Sequence, residues 1–158
     1  MTSTMRTILA GELSHAHHAG VLRLWNEEYP STLALSGPLD LDRYLLTLSG
    51  PQHFLLVADT DELYGWSCSF TRDGDVWFAM IVAGAQQGRG YGRMLMEAMR
   101  TRHDRLPGWV IDAEGAAKRN GEPYRSPLGF YLRNGFEVIP EARSGTSALS
   151  AVRMRWVR

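Results

Sequence analysis

The sequence is poor in cysteine, carries no net charge and has no long apolar segment. Cys68 is alone, so the chain can form no disulfide with itself, and a reducing cytoplasm is the expected compartment. Seventeen acidic residues balance seventeen basic ones, which favours neither nucleic acid nor a membrane surface as a partner. The longest run without a polar side chain, residues 76–85, is far below the roughly 20 residues that cross a bilayer.

Length and composition predict one soluble domain. Apolar residues make up 44% and charged residues 22% of the chain, as in ordinary globular proteins. The 158 residues are enough to bury a core, and no repeat, low-complexity tract or linker divides them. We therefore expect a single domain over residues 1–158.

The apolar pattern predicts the order β-α-α-β-β-β-α-β-α-β-β, which is an α/β domain with a single mixed β-sheet flanked by helices on both faces. Ser14 is the expected N-cap of the first helix, and Ser126 and Gly135 are expected to frame the last one. The segment "VWFAMIVAG", residues 76–84, is apolar on both faces, which is typical of a strand inside a covered sheet.

The middle of the chain predicts a βαβ unit. After that strand and a glycine-rich loop, apolar residues recur at the spacing of one buried helical face, at Tyr91, Met94, Leu95, Ala98 and Met99. Pro107-Gly108 is expected to end this helix, and "WVIDA" is expected to form the next strand. The succession predicts neighbouring strands joined by a right-handed crossover.

The loop of this unit, "AGAQQGRGYGRM" at residues 83–94, has the features of an anion-binding site. A helix start offers free N–H groups and the positive end of the helix dipole. Glycines let a ligand approach the backbone, and Gln87 and Arg89 can add donors. The alternative is a tight turn that binds nothing.

Two other phosphate-binding loops fit the segment less well. The Walker pattern requires Gly-Lys-Ser/Thr, and no lysine is near. The dinucleotide pattern is G-x-G-x-x-G, whereas the spacing here is Gly88-x-Gly90-x-Gly92. Asp112 lies at the distance of the usual acidic residue, so a dinucleotide-binding module is kept as an alternative.

The segment resembles the acetyl-CoA-binding segment of the GNAT acetyltransferase superfamily, whose pattern is R/Q-x-x-G-x-G/A after the fourth strand. Gln87, Gly90 and Gly92 occupy the three defining positions. Val82 stands at the strand end, where the family commonly has valine. Gly84 is a departure, because proline is common at its position.

A second segment, "FYLRNGFE", is similar to the family's later helix-to-strand segment. Tyr131 is followed four and five residues later by Gly135 and Phe136, as in the family. The asparagine often found early in that helix is absent, and Tyr124 or Ser126 lies near its place. The two motifs occur in the family's order and the predicted elements fit its fold, so the resemblance covers nearly the whole chain.

The resemblance implies transfer of an acetyl group from acetyl-CoA directly to a primary amine of a small molecule or peptide, in a ternary complex with neither a covalent enzyme intermediate nor a metal. It also implies that homodimers are common among such proteins. The residues expected to bind acetyl-CoA are Met80, Ile81, Val82, Gln87, Gly88, Arg89, Gly90, Tyr91, Gly92 and Ser126. Because Lys118 is the only lysine, extensive self-acetylation is not expected.

The candidate catalytic residues are a tyrosine and carboxylates. Tyr131 matches the family's general acid, which protonates the leaving thiolate. Asp112 and Glu114 end the strand "WVIDAE" at i and i+2, so both point to one face and are candidate bases, although they are equally well explained as solvated carboxylates. Glu27 and Glu28 close the first helix, a region that lines the acceptor site in this family.

Two further interpretations are open. A CoA- or acyl-CoA-binding sensor without turnover would carry the same loop. The sequence "HAHH" puts His15 and His18 on one helical face, but no third ligand spacing is visible, so no metal is expected.

Overall fold

The computed structural model describes residues 4–112, 115–144 and 150–158. The predicted element order is observed. In chain order the elements are β1 (Arg6–Ala10), α1 (His15–Glu28), α2 (Pro38–Leu46), β2 (Ser49–Val57), β3 (Leu63–Arg72), β4 (Asp75–Val82), α3 (Tyr91–Arg100), β5 (Arg105–Ile111), α4 (Leu128–Arg133), β6 (Glu137–Ser144) and β7 (Ala151–Val157). Single 3₁₀ turns follow α1, at Ser31–Leu33, and β4, at Gly84–Gln86.

The strands form two antiparallel sheets, where a single mixed sheet was predicted. The first has the order β1-β2-β3-β4 and the second has the order β5-β7-β6. The parallel strands β4 and β5 lie side by side at their starts, where Arg105 Nε donates to Asp75 Oδ1 at 3.0 Å. No hydrogen-bonded ladder joins them among the described residues. The α/β class is confirmed, and the gap between β4 and β5 is the feature that positions the site.

The prediction that Pro107-Gly108 ends the third helix is wrong. That helix ends at Arg100, and both residues lie inside β5. Proline has no N–H for a ladder and is tolerated on an edge strand, and β5 is the edge of its sheet. Gly108 is required by packing, because a Cβ there would lie 2.8 Å from Phe78 Cε1.

The predicted caps at Ser14 and Gly135 are observed, whereas the N-cap position of α4 is occupied by Pro127 and not by Ser126. Ser14 Oγ accepts a hydrogen bond from His17 N at 3.1 Å, which caps α1. After α4, Gly135 has φ of +89° and Phe136 N donates to Tyr131 O at 3.0 Å, which is the hydrogen bond of a Schellman ending.

Two apolar clusters cover the two faces of the first sheet. One joins α1 and α2 to that sheet through residues such as Leu24, Leu41 and Trp66. The other joins α3 to both sheets through residues such as Leu95 and Met154. β4 contributes to both clusters, which explains why its sequence does not alternate. None of the helices in the described ranges is long and apolar enough to cross a membrane.

Candidate active site

A cleft of about 520 Å³ opens where the carboxyl end of β4 diverges from the second sheet. This volume is in the range of small-molecule sites. Nine of the predicted site residues line it, namely Met80, Ile81, Val82, Gln87, Gly88, Gly90, Gly92, Ser126 and Tyr131. The two motifs of the sequence therefore face each other across one cavity.

The end of β4 turns main-chain groups toward the cleft. Ala83 N donates to Tyr64 O on β3 at 2.8 Å. Because the groups of successive residues in a strand point to opposite sides, those of Met80 and Val82 point away from β3. Gln87 Nε2 donates to Val82 O at 3.1 Å, which agrees with this direction.

The glycines of the loop have different roles. Gly88 and Gly90 have φ of +79° and +83°, and no atom lies within 4 Å of a Cβ built at either position. A ligand can therefore approach the backbone there, next to the free N–H groups of the first turn of α3. At Gly92 a Cβ would lie 3.1 Å from Phe130 Cζ, so this glycine allows α3 to pack against α4.

Tyr131 is packed among aromatic rings at the cleft. Its ring packs edge-on against Phe78, Phe130 and Phe136, with centroid distances of 5.8, 5.3 and 5.2 Å. Only 5% of the residue is exposed. Burial raises the pKa of the Tyr131 hydroxyl above the ordinary value of 10.0, so the group is protonated at physiological pH. The hydroxyl therefore carries a proton at the cleft, although a raised pKa also makes it a weaker acid.

Ser126 connects the second sheet to α4. Its Oγ donates to Ile111 O at 2.6 Å and accepts from Leu128 N at 3.2 Å. The prediction that Ser126 is the N-cap is wrong by one residue, since Pro127 takes that position and the helix begins at Leu128, but the Ser126 hydroxyl still accepts a hydrogen bond from the first helical N–H.

The other predicted residues lie elsewhere. Arg89 is exposed and Tyr91 is half-buried against the core, and neither lines the cleft. Asp112 also lies outside the lining, where its Oδ2 accepts from Arg143 Nη1 at 3.0 Å. Glu114 falls outside the described residues.

Seven residues of the cleft were not assigned from the sequence. Three are cations, Arg93, Arg125 and Arg133, and the others are Tyr29, Pro127, Gly129 and Phe130. Glu28 and Tyr124, which the resemblance placed near the acceptor region and near the position of the family's asparagine, also line the cleft. Arg93 and Arg133 stand inside the two motif segments, and that position could have identified them. Glu28 and Tyr29 come from the end of α1, far along the chain, and only tertiary structure brings them here.

Charge in the cleft favours an anionic ligand. Among the described lining residues, three arginines accompany one carboxylate, that of Glu28. A concave site lined mainly by charge of one sign attracts ligands of the opposite sign.

A family model described as the acetyltransferase (GNAT) domain matches residues 50–138, more than half of the chain. The chain belongs to the GNAT acetyltransferase family. This GNAT protein is therefore an acyltransferase, and the resemblance noted from its sequence is confirmed. No curated protein matches it by sequence.

Solved structures share the fold of this GNAT protein at low identity. An acyl-CoA N-acyltransferase from Pseudomonas aeruginosa superposes with a TM-score of 0.67 at 15% identity, over 99% of this chain and 100% of that one. A GNAT superfamily phosphinothricin acetyltransferase from Sinorhizobium meliloti, in complex with AcCoA, has a TM-score of 0.66 at 12% identity, over 99% and 89%. A GCN5-related N-acetyltransferase from Kribbella flavida has a TM-score of 0.61 at 18% identity, over 98% of each chain.

Proposed function

We propose that this GNAT protein transfers the acetyl group of acetyl-CoA directly to a primary amine in a ternary complex. The observation that carries the proposal is the cleft itself. It combines outward-facing main chain at the end of β4 with open glycine backbone at the start of α3. When bound, acetyl-CoA supplies a thioester whose carbonyl carbon the amine attacks.

The residues of the cleft fit such a cosubstrate. The main chain of Met80 and Val82 is oriented to pair with an extended pantetheine arm and to donate an N–H to the thioester oxygen. The loop from Gly88 to Gly92 offers backbone N–H groups to a pyrophosphate, and the arginines of the cleft complement its charge. Since these contacts are mostly main chain, truncating side chains in the loop should change affinity little.

Two protons must move during the transfer. Tyr131 lines the cleft with its hydroxyl protonated, and we assign it the role of donating a proton to the leaving thiolate. We assign removal of the amine proton to Asp112 or Glu114, acting directly or through water; Asp112 lies outside the cleft lining and would act through water. The pH–rate profiles of Asp112→Asn and Glu114→Gln test this assignment. Loss of the base should change the low-pH side of the profile, where protonation of that carboxylate limits the wild-type rate.

One observation favours a second candidate, a sensor that binds acyl-CoA without turnover. Both oxygens of Glu28, the single carboxylate among the described lining residues, already accept hydrogen bonds from the protein. Asp112 is likewise paired, with Arg143.

Isothermal titration with acetyl-CoA, NAD and ATP tests binding, and release of free thiol with a panel of amines tests turnover. We expect micromolar binding of acetyl-CoA alone, followed by thiol release with at least one amine. The panel includes phosphinothricin, because the neighbour from S. meliloti is a phosphinothricin acetyltransferase. Binding without thiol release would favour the sensor, and binding of NAD instead would favour a dinucleotide-binding module.

A further inference from the structure

The carboxylate of Glu28 joins three segments that are distant in sequence. At the end of α1, its Oε2 accepts a hydrogen bond from Gly84 N at 2.7 Å, and its Oε1 accepts one from Lys118 Nζ at 2.9 Å. Only 12% of the Glu28 side chain and 19% of the Lys118 side chain are exposed. We name the set of Glu28, Lys118 and Gly84 the clasp.

Main-chain contacts beside the clasp hold the same segments together. Pro30 and Lys118 form an antiparallel bridge, and Ser31 N donates to Ala117 O at 2.8 Å. The segment around Lys118 is thereby attached to the chain that leaves α1. The ion pair extends this attachment to the loop after β4.

Gly84 is the point where the clasp reaches the candidate acyl-CoA site. It begins the 3₁₀ turn between β4 and the glycine loop, and Gln87 N donates to its carbonyl at 3.2 Å. A Cβ at this position would lie 3.1 Å from Glu28 Oε1. The Gly84 N–H is the donor of the hydrogen bond to Glu28, and a proline at this position would have no N–H to supply it. Glycine at this position therefore leaves room for the Glu28 carboxylate and supplies the N–H that binds it.

The clasp also limits what Glu28 can do. Its two oxygens are occupied by a cation and by a backbone N–H, so the carboxylate is not poised to remove a proton from an amine. A carboxylate with low exposure needs its cationic partner, since removing one member leaves an uncompensated charge. These contacts suit a role in which Glu28 positions the glycine loop and does not itself contact the reacting groups.

We propose that the clasp is a positioning device that holds the glycine loop in the conformation that binds acyl-CoA. The inference rests on the proposed function, since it takes the loop to be the cosubstrate site. Glu28 and Lys118 are positioning residues in this scheme, and the bound acyl-CoA contacts the loop.

The test compares Lys118→Met with Lys118→Arg and with Arg119→Met, a matched control at the exposed neighbouring cation. We expect Lys118→Met to raise the Kd for acetyl-CoA and its KM about tenfold while kcat changes less than threefold. Lys118→Arg should restore most of the affinity, and Arg119→Met should match the wild type. The double variant Glu28→Gln/Lys118→Met should bind no worse than Lys118→Met, because the uncompensated carboxylate is removed.

Hydrogen exchange without ligand separates this inference from the proposed function. In Lys118→Met, and not in Arg119→Met, the amides of residues 84–90 should exchange at least tenfold faster, while circular dichroism verifies the fold. If Lys118→Met does not fold, Lys118→Gln takes its place in both measurements. Unchanged exchange, or a Kd within twofold of the wild type, overturns the clasp. If the wild type itself binds no acetyl-CoA, the proposed function fails, and the exchange data alone decide whether the clasp holds the loop.

Discussion

Replacing Tyr131 with phenylalanine removes one hydroxyl group from the cleft and keeps the ring that fills its wall. The ring packs against Phe78, Phe130 and Phe136 at centroid distances of 5.2 to 5.8 Å, and phenylalanine preserves these contacts. Because these ring contacts remain, we expect little change in stability.

The expected kinetic effect follows from the role of the hydroxyl. General acid catalysis is worth about 100-fold to 10,000-fold in rate. Solvent water can partly replace the donor at an open cleft, so we expect turnover to fall about 10-fold to 100-fold. This fall corresponds to about 1.4 to 2.8 kcal/mol in activation free energy. The Kd for acetyl-CoA should remain unchanged, because the proposed cosubstrate contacts are main-chain groups.

The assay measures thiol release at saturating acetyl-CoA and amine from pH 6 to pH 9, with titration calorimetry for the Kd. Burial raises the pKa of Tyr131, so its deprotonation should not lower wild-type turnover within this range. Turnover of Tyr131→Phe equal to that of the wild type would refute the general-acid role. A parallel loss of turnover and cosubstrate affinity would instead indicate a damaged cleft.

Three further predictions test the loop, the strand contact and a buried histidine. Gly90→Asp places a carboxylate in the open space beside the loop, at a backbone φ of +83°, so calorimetry should detect no acetyl-CoA binding while circular dichroism stays native. Gly108→Ala puts a Cβ 2.8 Å from Phe78 Cε1, and overpacking of this kind should lower the free energy of unfolding by about 1 to 3 kcal/mol in chemical denaturation; wild-type stability would contradict the contact. Burial lowers the pKa of His53 to about 4, below its ordinary 6.5, because the folded protein disfavours the protonated ring. The contribution of His53 to the free energy of unfolding is therefore complete above pH 6.5 and is lost as the pH falls from 6.5 through 4. His53→Asn keeps an acceptor for Trp66 Nε1, which donates to His53 Nδ1 at 3.0 Å, and should flatten the dependence of stability on pH in this window.

Two helix caps and one helix that were predicted from local signals were confirmed. The N-cap at Ser14 and the left-handed Gly135 are properties of a few consecutive residues, whose backbone preferences do not depend on distant packing. The amphipathic helix after the glycine loop was found for the same reason. Local spacing also located both segments that line the cleft.

Predictions that depended on the relation between strands were less accurate. A proline followed by a glycine is a common end of a helix, yet Pro107 and Gly108 lie in β5, where the edge position and the Phe78 ring accommodate them. The division into two sheets likewise depends on how β4 and β5 meet, and no pattern within either strand reports this.

The sequence by itself determined the α/β class, the order of the elements and the two segments that form the cleft. Each of these depends on residues close together in the chain, through helix caps, glycine dihedrals and the spacing of apolar side chains. Only the tertiary structure decided that the parallel strands separate, and that Glu28 meets Lys118, 90 residues away, at the start of the glycine loop. Such contacts are made when packing brings distant segments together, and they leave no periodic trace in the sequence.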